Sequence, residues 1–164
     1  MAHVTPIPEG HHSLTTSIVV SNAARALDFY KKALGAVEIS RFPTPDGKIA
    51  HAEIRLGDSR LMLTDEFGFA FTRSPESLGG TPATLWLYVD DVDSAFKRAV
   101  DAGATVKWAL KDQFWGDRTG HIADPFGHMW VLATHKEDVA PGELKRRGDA
   151  EMAKMAAPQR TQSA

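Results

Sequence analysis

The chain contains no cysteine. That one absence excludes disulfides, thiolate metal sites and cysteine nucleophiles together. Nor is there a surplus of positive charge: 19 Lys and Arg stand against 21 Asp and Glu, for a net charge of −2. A basic field for nucleic acid or an anionic membrane is therefore missing. No run approaches the ~18 apolar residues of a membrane helix. No basic segment leads into an apolar run near the start, so no secretory signal is expected. These lacks together point to a cytoplasmic protein. The rest is ordinary: 164 residues, 43% hydrophobic and 24% charged, enough for one domain with a real core.

The chain repeats itself. "SIVV" reads as a strand, Asn22 as a helix cap, and Ala23, Ala26, Leu27, Tyr30 and Leu34 as one helical face that Gly35 ends. "TLWLYV" then reads as a strand and Asp91 as a cap. Val92, Ala95, Phe96 and Ala99 repeat the spacing, and Gly103 stops the helix. Asn22 to Asp91, Ala26 to Ala95 and Tyr30 to Ala99 are each 69 positions apart. Three strand-like segments follow each helix, at 36–42, 48–56 and 59–65 and again at 104–110, 118–123 and 128–134. Each half reads βαβββ, and the matched order favours duplication.

The expected fold class is α+β, with two tandem βαβββ modules forming a half-open, barrel-like cleft. The modules span 13–66 and 83–135, joined by a linker at 67–82 and followed by a C-terminal helical arm and disordered tail at 136–164. In such a module the helix covers one sheet face and the other stays open. Strand alternation assigns the faces. Ser17, Val19 and Thr15 are expected on the open face of the first strand; His51, Glu53 and Arg55 on that of "HAEIRL"; Thr84, Trp86 and Tyr88 on that of "TLWLYV". Polar and aromatic groups around a cleft are the usual lining of a small-molecule pocket.

"VVSNAARALDFYKKALGA", "LYVDDVDSAFKRAVDAGA" and "ADPFGHMWVL" resemble the vicinal oxygen chelate superfamily, the group of glyoxalase I, bleomycin-resistance proteins and extradiol dioxygenases. The likeness covers residues 13 to 134, and "DQFWGDRTGHIADPFGHMWVLATH" resembles its PhnB-like branch. The resemblance implies a homodimer. It also implies a metal site, with one ligand on the first strand and one on the last strand of each module. Those positions fall at Thr15, Met62, Thr84 and Val131. Valine has no donor atom, methionine is soft, and threonine hydroxyls alone hold a divalent ion poorly. No metal and no other cofactor is expected, which argues against the reactions that need a Lewis acid or redox ion.

The other candidates leave several readings open. His51 and Glu53 read as an acid–base pair, as an ordinary polar pair on a wet face, or as part of a relocated metal site with His121. Trp86 and Tyr88 read as core or as a stacking surface for a planar ligand. Trp115 and Arg118 are placed at a pocket rim, with Arg118 pairing Asp117 or holding an anionic group. "DPFG" reads as a type I turn with a structural Asp124, and His128 as a satisfied structural histidine. Asp65 is placed facing the cleft. Phe67, Phe69 and Phe71 are expected to be buried over the cleft or against a second subunit. A short helix broken near Gly148 is expected from Pro141 to Met155, with residues 157–164 disordered.

The leading expectation is a metal-independent binder of a small molecule. The first alternative is a metal-independent lyase or isomerase using His51 and Glu53. The second is a metal-dependent glyoxalase-like enzyme with a relocated site. A scaffold whose cleft is filled by its own aromatics is a further reading.

Overall fold

The computed structural model of the chain describes residues 4–69 and 72–156. Its elements run β1 (Thr16–Val20), α1 (Ala23–Leu34), β2 (Val37–Pro43), β3 (Ile49–Leu56), β4 (Ser59–Asp65), α2 (Pro75–Leu78), β5 (Thr84–Tyr88), α3 (Val92–Asp101), β6 (Thr105–Asp112), β7 (Asp117–Ala123), β8 (Met129–His135) and α4 (Pro141–Ala156). Two four-stranded sheets result, ordered β1-β4-β3-β2 and β5-β8-β7-β6. Each pairs its first strand parallel to its last and the others antiparallel. The fold is thus α+β with two βαβββ modules.

The helices form for the reasons the sequence gives. Asn22 accepts from the Arg25 amide and Asp91 from the Ser94 amide, so each cap satisfies a donor the helix leaves free. Gly35 closes α1 at φ 70°, in the left-handed region. Ala23, Ala26, Leu27, Tyr30 and Leu34 are buried, as are Val92, Ala95, Phe96 and Ala99.

A further pair obeys the 69-residue offset. Asp65, at the end of β4, accepts from the Ala23 amide at 2.7 Å and from the Ile49 amide at 2.6 Å. Thr134, near the end of β8, accepts from the Val92 amide at 2.9 Å. In both modules the last strand thus secures the first amide of the helix. Asp65 therefore faces the helix side, not the open face as the sequence led us to expect.

The modules meet chiefly through α1 and α3. Arg98 Nε donates to the Ala33 carbonyl at 3.1 Å. Beside this contact lies a buried hub. Asp124 accepts from Tyr30 Oη at 2.7 Å, from Trp130 Nε1 at 2.9 Å, and from the amides of Phe126 and His128 at 2.9 Å each. His128 in turn places Nε2 2.9 Å from the Val19 carbonyl at the edge of β1. The "DPFG" turn thus carries the bond network that ties β8 to α1. Burial pushes the Tyr30 hydroxyl well above its usual range, and the Asp124 carboxyl beside it adds to this.

Two elements depart from expectation. α2 is a single turn inside the linker, with Ser74 as cap, Pro75 at its start and Gly79 ending it at φ 78°. Glu66 fastens it by accepting from the Ser74 amide and from the hydroxyls of Ser74 and Ser77. α4 runs unbroken through Gly148. A side chain there would crowd the Phe114 ring, 3.3 Å from where a Cβ would stand, so the glycine permits close packing and does not end the helix. Phe67 and Phe69 stack at 6.1 Å with 17° between their planes, while Phe71 lies outside the described residues. So does the segment 157–164 whose disorder was expected.

Candidate ligand site

The open face of the second sheet carries one continuous rung of side chains. Trp86 on β5 pairs with Val131 on β8, Val131 with His121 on β7, and His121 with Trp108 on β6. Trp108 meets the His121 ring edge-on at 4.3 Å. Trp86 and Tyr88 lie 6.2 Å apart, tilted by 37°. Val131 and Ala133 form a fully buried floor between these walls. The aromatic walls are open: Trp86 is 48% exposed, Tyr88 56% and Trp108 66%. Burial of His121 lowers its pKa and favours the neutral imidazole.

One end of this face is organised by Asp117, only 4% exposed. Its carboxylate accepts from Tyr88 Oη at 2.9 Å, Trp115 Nε1 at 3.0 Å and His135 Nδ1 at 2.7 Å. Burial opposes its ionisation, but the hydrogen bonds from His135, Tyr88 and Trp115 outweigh it and lower the pKa. The same bond, joined by Asp138 at 3.0 Å from Nε2, raises that of His135. Tyr88 is raised, chiefly by its bond to Asp117. Trp115 is thus fixed at the rim, edge-on to Phe114 at 5.0 Å.

A pH dependence follows from the His135–Asp117 link. A raised His135 contributes stability that is complete below about pH 6.5 and fades as pH climbs through its raised value. A lowered Asp117 contributes stability that is present above about pH 4 and fades as pH falls through its lowered value. The melting-temperature difference between the wild type and His135→Gln is therefore expected to be largest between the ordinary carboxylate and imidazole ranges and to shrink as the pH climbs through the raised His135 value. A difference that stays flat across that range would refute the link.

The remaining candidates are spread over other places. Arg118 points to the helix side, where it forms a fork on Asp93 at 2.8 and 2.9 Å and a further bond to Asp112 at 3.0 Å. Asp93, then Asp112, raise its pKa. It neither pairs with Asp117 nor shares a face with His121. Thr15 precedes β1 and donates to the His12 carbonyl. Ser17 lines a recess of about 630 Å³ on the first sheet with Val19, Ala50, Thr64 and Phe67. Arg55 donates to the Gly57 carbonyl at its own hairpin. Thr84 is exposed at the start of β5.

His51 and Glu53 do not bond to one another. His51 lies 6.1 Å from the Phe42 ring. Glu53 stands 3.0 Å from Arg60 Nη1 and 3.6 Å from His11 Nε2, with all three side chains no more than 16% exposed. His11 belongs to the segment before β1, which had no expected role. His121, the third ligand considered for a relocated metal, sits on the other sheet.

The donor set does not fit a divalent ion. The implied positions Thr15, Met62, Thr84 and Val131 carry no carboxylate or imidazole, and neither do Ser17 and Trp86, which stand beside Met62 and Val131 in place of Thr15 and Thr84. Among the described residues, no three His, Asp or Glu side chains converge as a metal-binding group.

Two βαβββ modules with open sheet faces define a paired-module α+β protein of the glyoxalase type. The chain belongs to the Glyoxalase/Bleomycin resistance protein/Dioxygenase superfamily, whose family model matches residues 3–132. The uncharacterized protein Rv0887c of Mycobacterium tuberculosis is 49% identical over 138 residues, covering 81% of this chain and 80% of that protein. The crystal structure of TioX from Micromonospora sp. ML1 superimposes with a TM-score of 0.62 at 30% identity, over 76% of this chain and 98% of that one. A PhnB protein from Bacillus cereus shares the fold with a TM-score of 0.59 at 18% identity, over 75% of this chain and 99% of that one. No described helix is long and apolar enough to cross a membrane.

Proposed function

We propose that this protein binds a small planar molecule on the aromatic rung of its second sheet, without the metal of its superfamily. The carrying observation is the rung itself: Trp86, His121 and Trp108 in register above a buried Val131, with Trp86 and Trp108 about half or more exposed. Open aromatic surface of this kind marks an interaction site. Ring stacking needs no catalytic group. The acid–base alternative loses support because Glu53 is engaged by Arg60 and His11 and does not orient His51.

The modules are joined on their helix side, so the open face of the second sheet is left for an outside occupant. A second copy of the chain, covering this face over the bound ligand, is the homodimer this reading favours.

Titration with 2-naphthamide, a neutral planar probe, tests the reading through tryptophan fluorescence. Saturable quenching is expected. Trp86→Ala and Trp108→Ala should each weaken binding about 5- to 30-fold, from a loss of ~1–2 kcal/mol of ring contact. Binding unaffected by either change, or no binding at all, would defeat the proposal.

A further inference from the structure

Where the two modules adjoin, a recess of about 330 Å³ opens beside the rung. Trp86, Tyr88 and Thr84 form one wall, and Ser59 and Arg60 of the first module form another. Among the described residues, Arg60 is the only cationic side chain that lines it. The one acid among the described lining residues is Asp58, at the hairpin turn, whose carboxylate accepts from the Ser59 hydroxyl at 3.0 Å.

Arg60 is unusual in what it leaves unused. Its Nη1 lies 3.0 Å from Glu53 Oε1, but at an angle that makes no hydrogen bond. Both Nε and Nη1 are buried without a hydrogen-bond acceptor. A guanidinium has five donors in a planar fork, and buried donors are rarely left unsatisfied. Glu53 therefore neutralises charge without using the fork. A planar oxyanion is the partner that accepts two of those donors at once.

The cover over Arg60 is light. Of residues 4–15, Gly10 and His11 meet the first sheet: a Cβ on Gly10 would stand 2.9 Å from Arg60 Nη2, and His11 Nε2 lies 3.6 Å from Glu53. The segment's one backbone hydrogen bond among the described residues is local, from the His11 amide to the Pro8 carbonyl. Segments held this loosely open at small cost.

We infer that Arg60 receives the carboxylate of a ligand whose ring stacks on Trp86, so that the ligand class is a planar aromatic acid. This rests on the binding reading above and names its chemistry. The ring and the charge are supplied by different modules, with the recess as the path between them. Glu53, 3.0 Å from Arg60 Nη1, competes with the ligand for Arg60.

The test compares 2-naphthoate with 2-naphthamide, probes alike in ring and different in charge. The wild type is expected to bind the acid about ten-fold or more tightly. Raising NaCl from about 20 mM to about 500 mM should narrow that gap. Arg60→Gln should weaken the acid more than the amide and so bring the two probes to similar affinity. Glu53→Gln, which removes the competing carboxylate, should tighten the acid alone and serves if the Arg60 variant fails to fold. Equal binding of both probes by the wild type, or preference for the amide, would overturn the inference and leave the ring platform standing. Discrimination that survives Arg60→Gln would place the charge elsewhere and also overturn it. Binding of neither probe would overturn both readings.

Discussion

Replacing Asp124 by alanine is expected to lower the stability of the chain by about 3–5 kcal/mol. The carboxyl group accepts four hydrogen bonds in a buried setting, from Tyr30, Trp130 and the amides of Phe126 and His128. Alanine strands all four donors, and each buried orphan costs about 1–3 kcal/mol before the structure relaxes. The loss extends beyond the turn, because Tyr30 belongs to α1 and Trp130 to β8. Tyr30→Phe removes one donor together with its partner bond and should cost less, about 1.5–3 kcal/mol. The two changes share one bond, so the double variant should fall short of their sum. Urea unfolding at an unchanged slope measures each. A loss below about 1 kcal/mol for Asp124→Ala would show that packing of α1 against α3, and not this hub, joins the modules.

The hub also shows what the sequence could and could not reveal. The turn was legible, since Asp, Pro and Gly stand in the order a type I turn requires. The module was legible from the 69-residue offset, because cap, apolar face and glycine each have a local cause. What Asp124 bonds to was not legible. Tyr30 lies 94 positions away, and no local pattern encodes that contact. The same holds for Glu53. Its neighbour in sequence, His51, suggested a pair, but the fold brings it Arg60 and His11 instead.

Alternation served well where strands are regular and failed where they are not. Trp86 and Tyr88 lie on the open face as their parity requires. Arg118 and His121 have opposite parity on β7, so they could not both lie on the open face. Buried Ile122 assigns Arg118 to the helix side, a signal present in the sequence. Trp108 was missed for a physical reason. β6 slips register on both sides of it, between Val106 and Trp108 and again between Trp108 and Lys111. Such irregularities break the two-residue period, so face cannot be read by counting. The role of Gly148 was misjudged likewise, because a glycine that admits a neighbouring ring looks the same in sequence as one that ends a helix.

The second large effect is expected at Asp117, where structure and binding meet. Asp117→Ala leaves Tyr88, Trp115 and His135 without their shared acceptor and should cost about 2–4 kcal/mol. The cost is set below that of Asp124 because Tyr88 and His135 are exposed enough to turn towards water. Binding should suffer as well. Tyr88 stands beside Trp86 on the platform, and a ring free to rotate loses the preorganisation that limits the entropy of binding. Asp117→Asn separates the two effects. It keeps the shape of the side chain but offers one accepting oxygen to three donors and turns an amide N–H towards them. Its stability should lie between those of the wild type and the alanine variant, with 2-naphthamide affinity lowered in both. Near-ultraviolet circular dichroism reads the order of Tyr88 and Trp115 directly. An unchanged spectrum in Asp117→Ala, with an unchanged melting temperature, would mean that packing against Phe114 and Trp86 holds these rings. The carboxylate would then have to be explained by His135 alone, which the pH dependence of the His135→Gln difference measures independently.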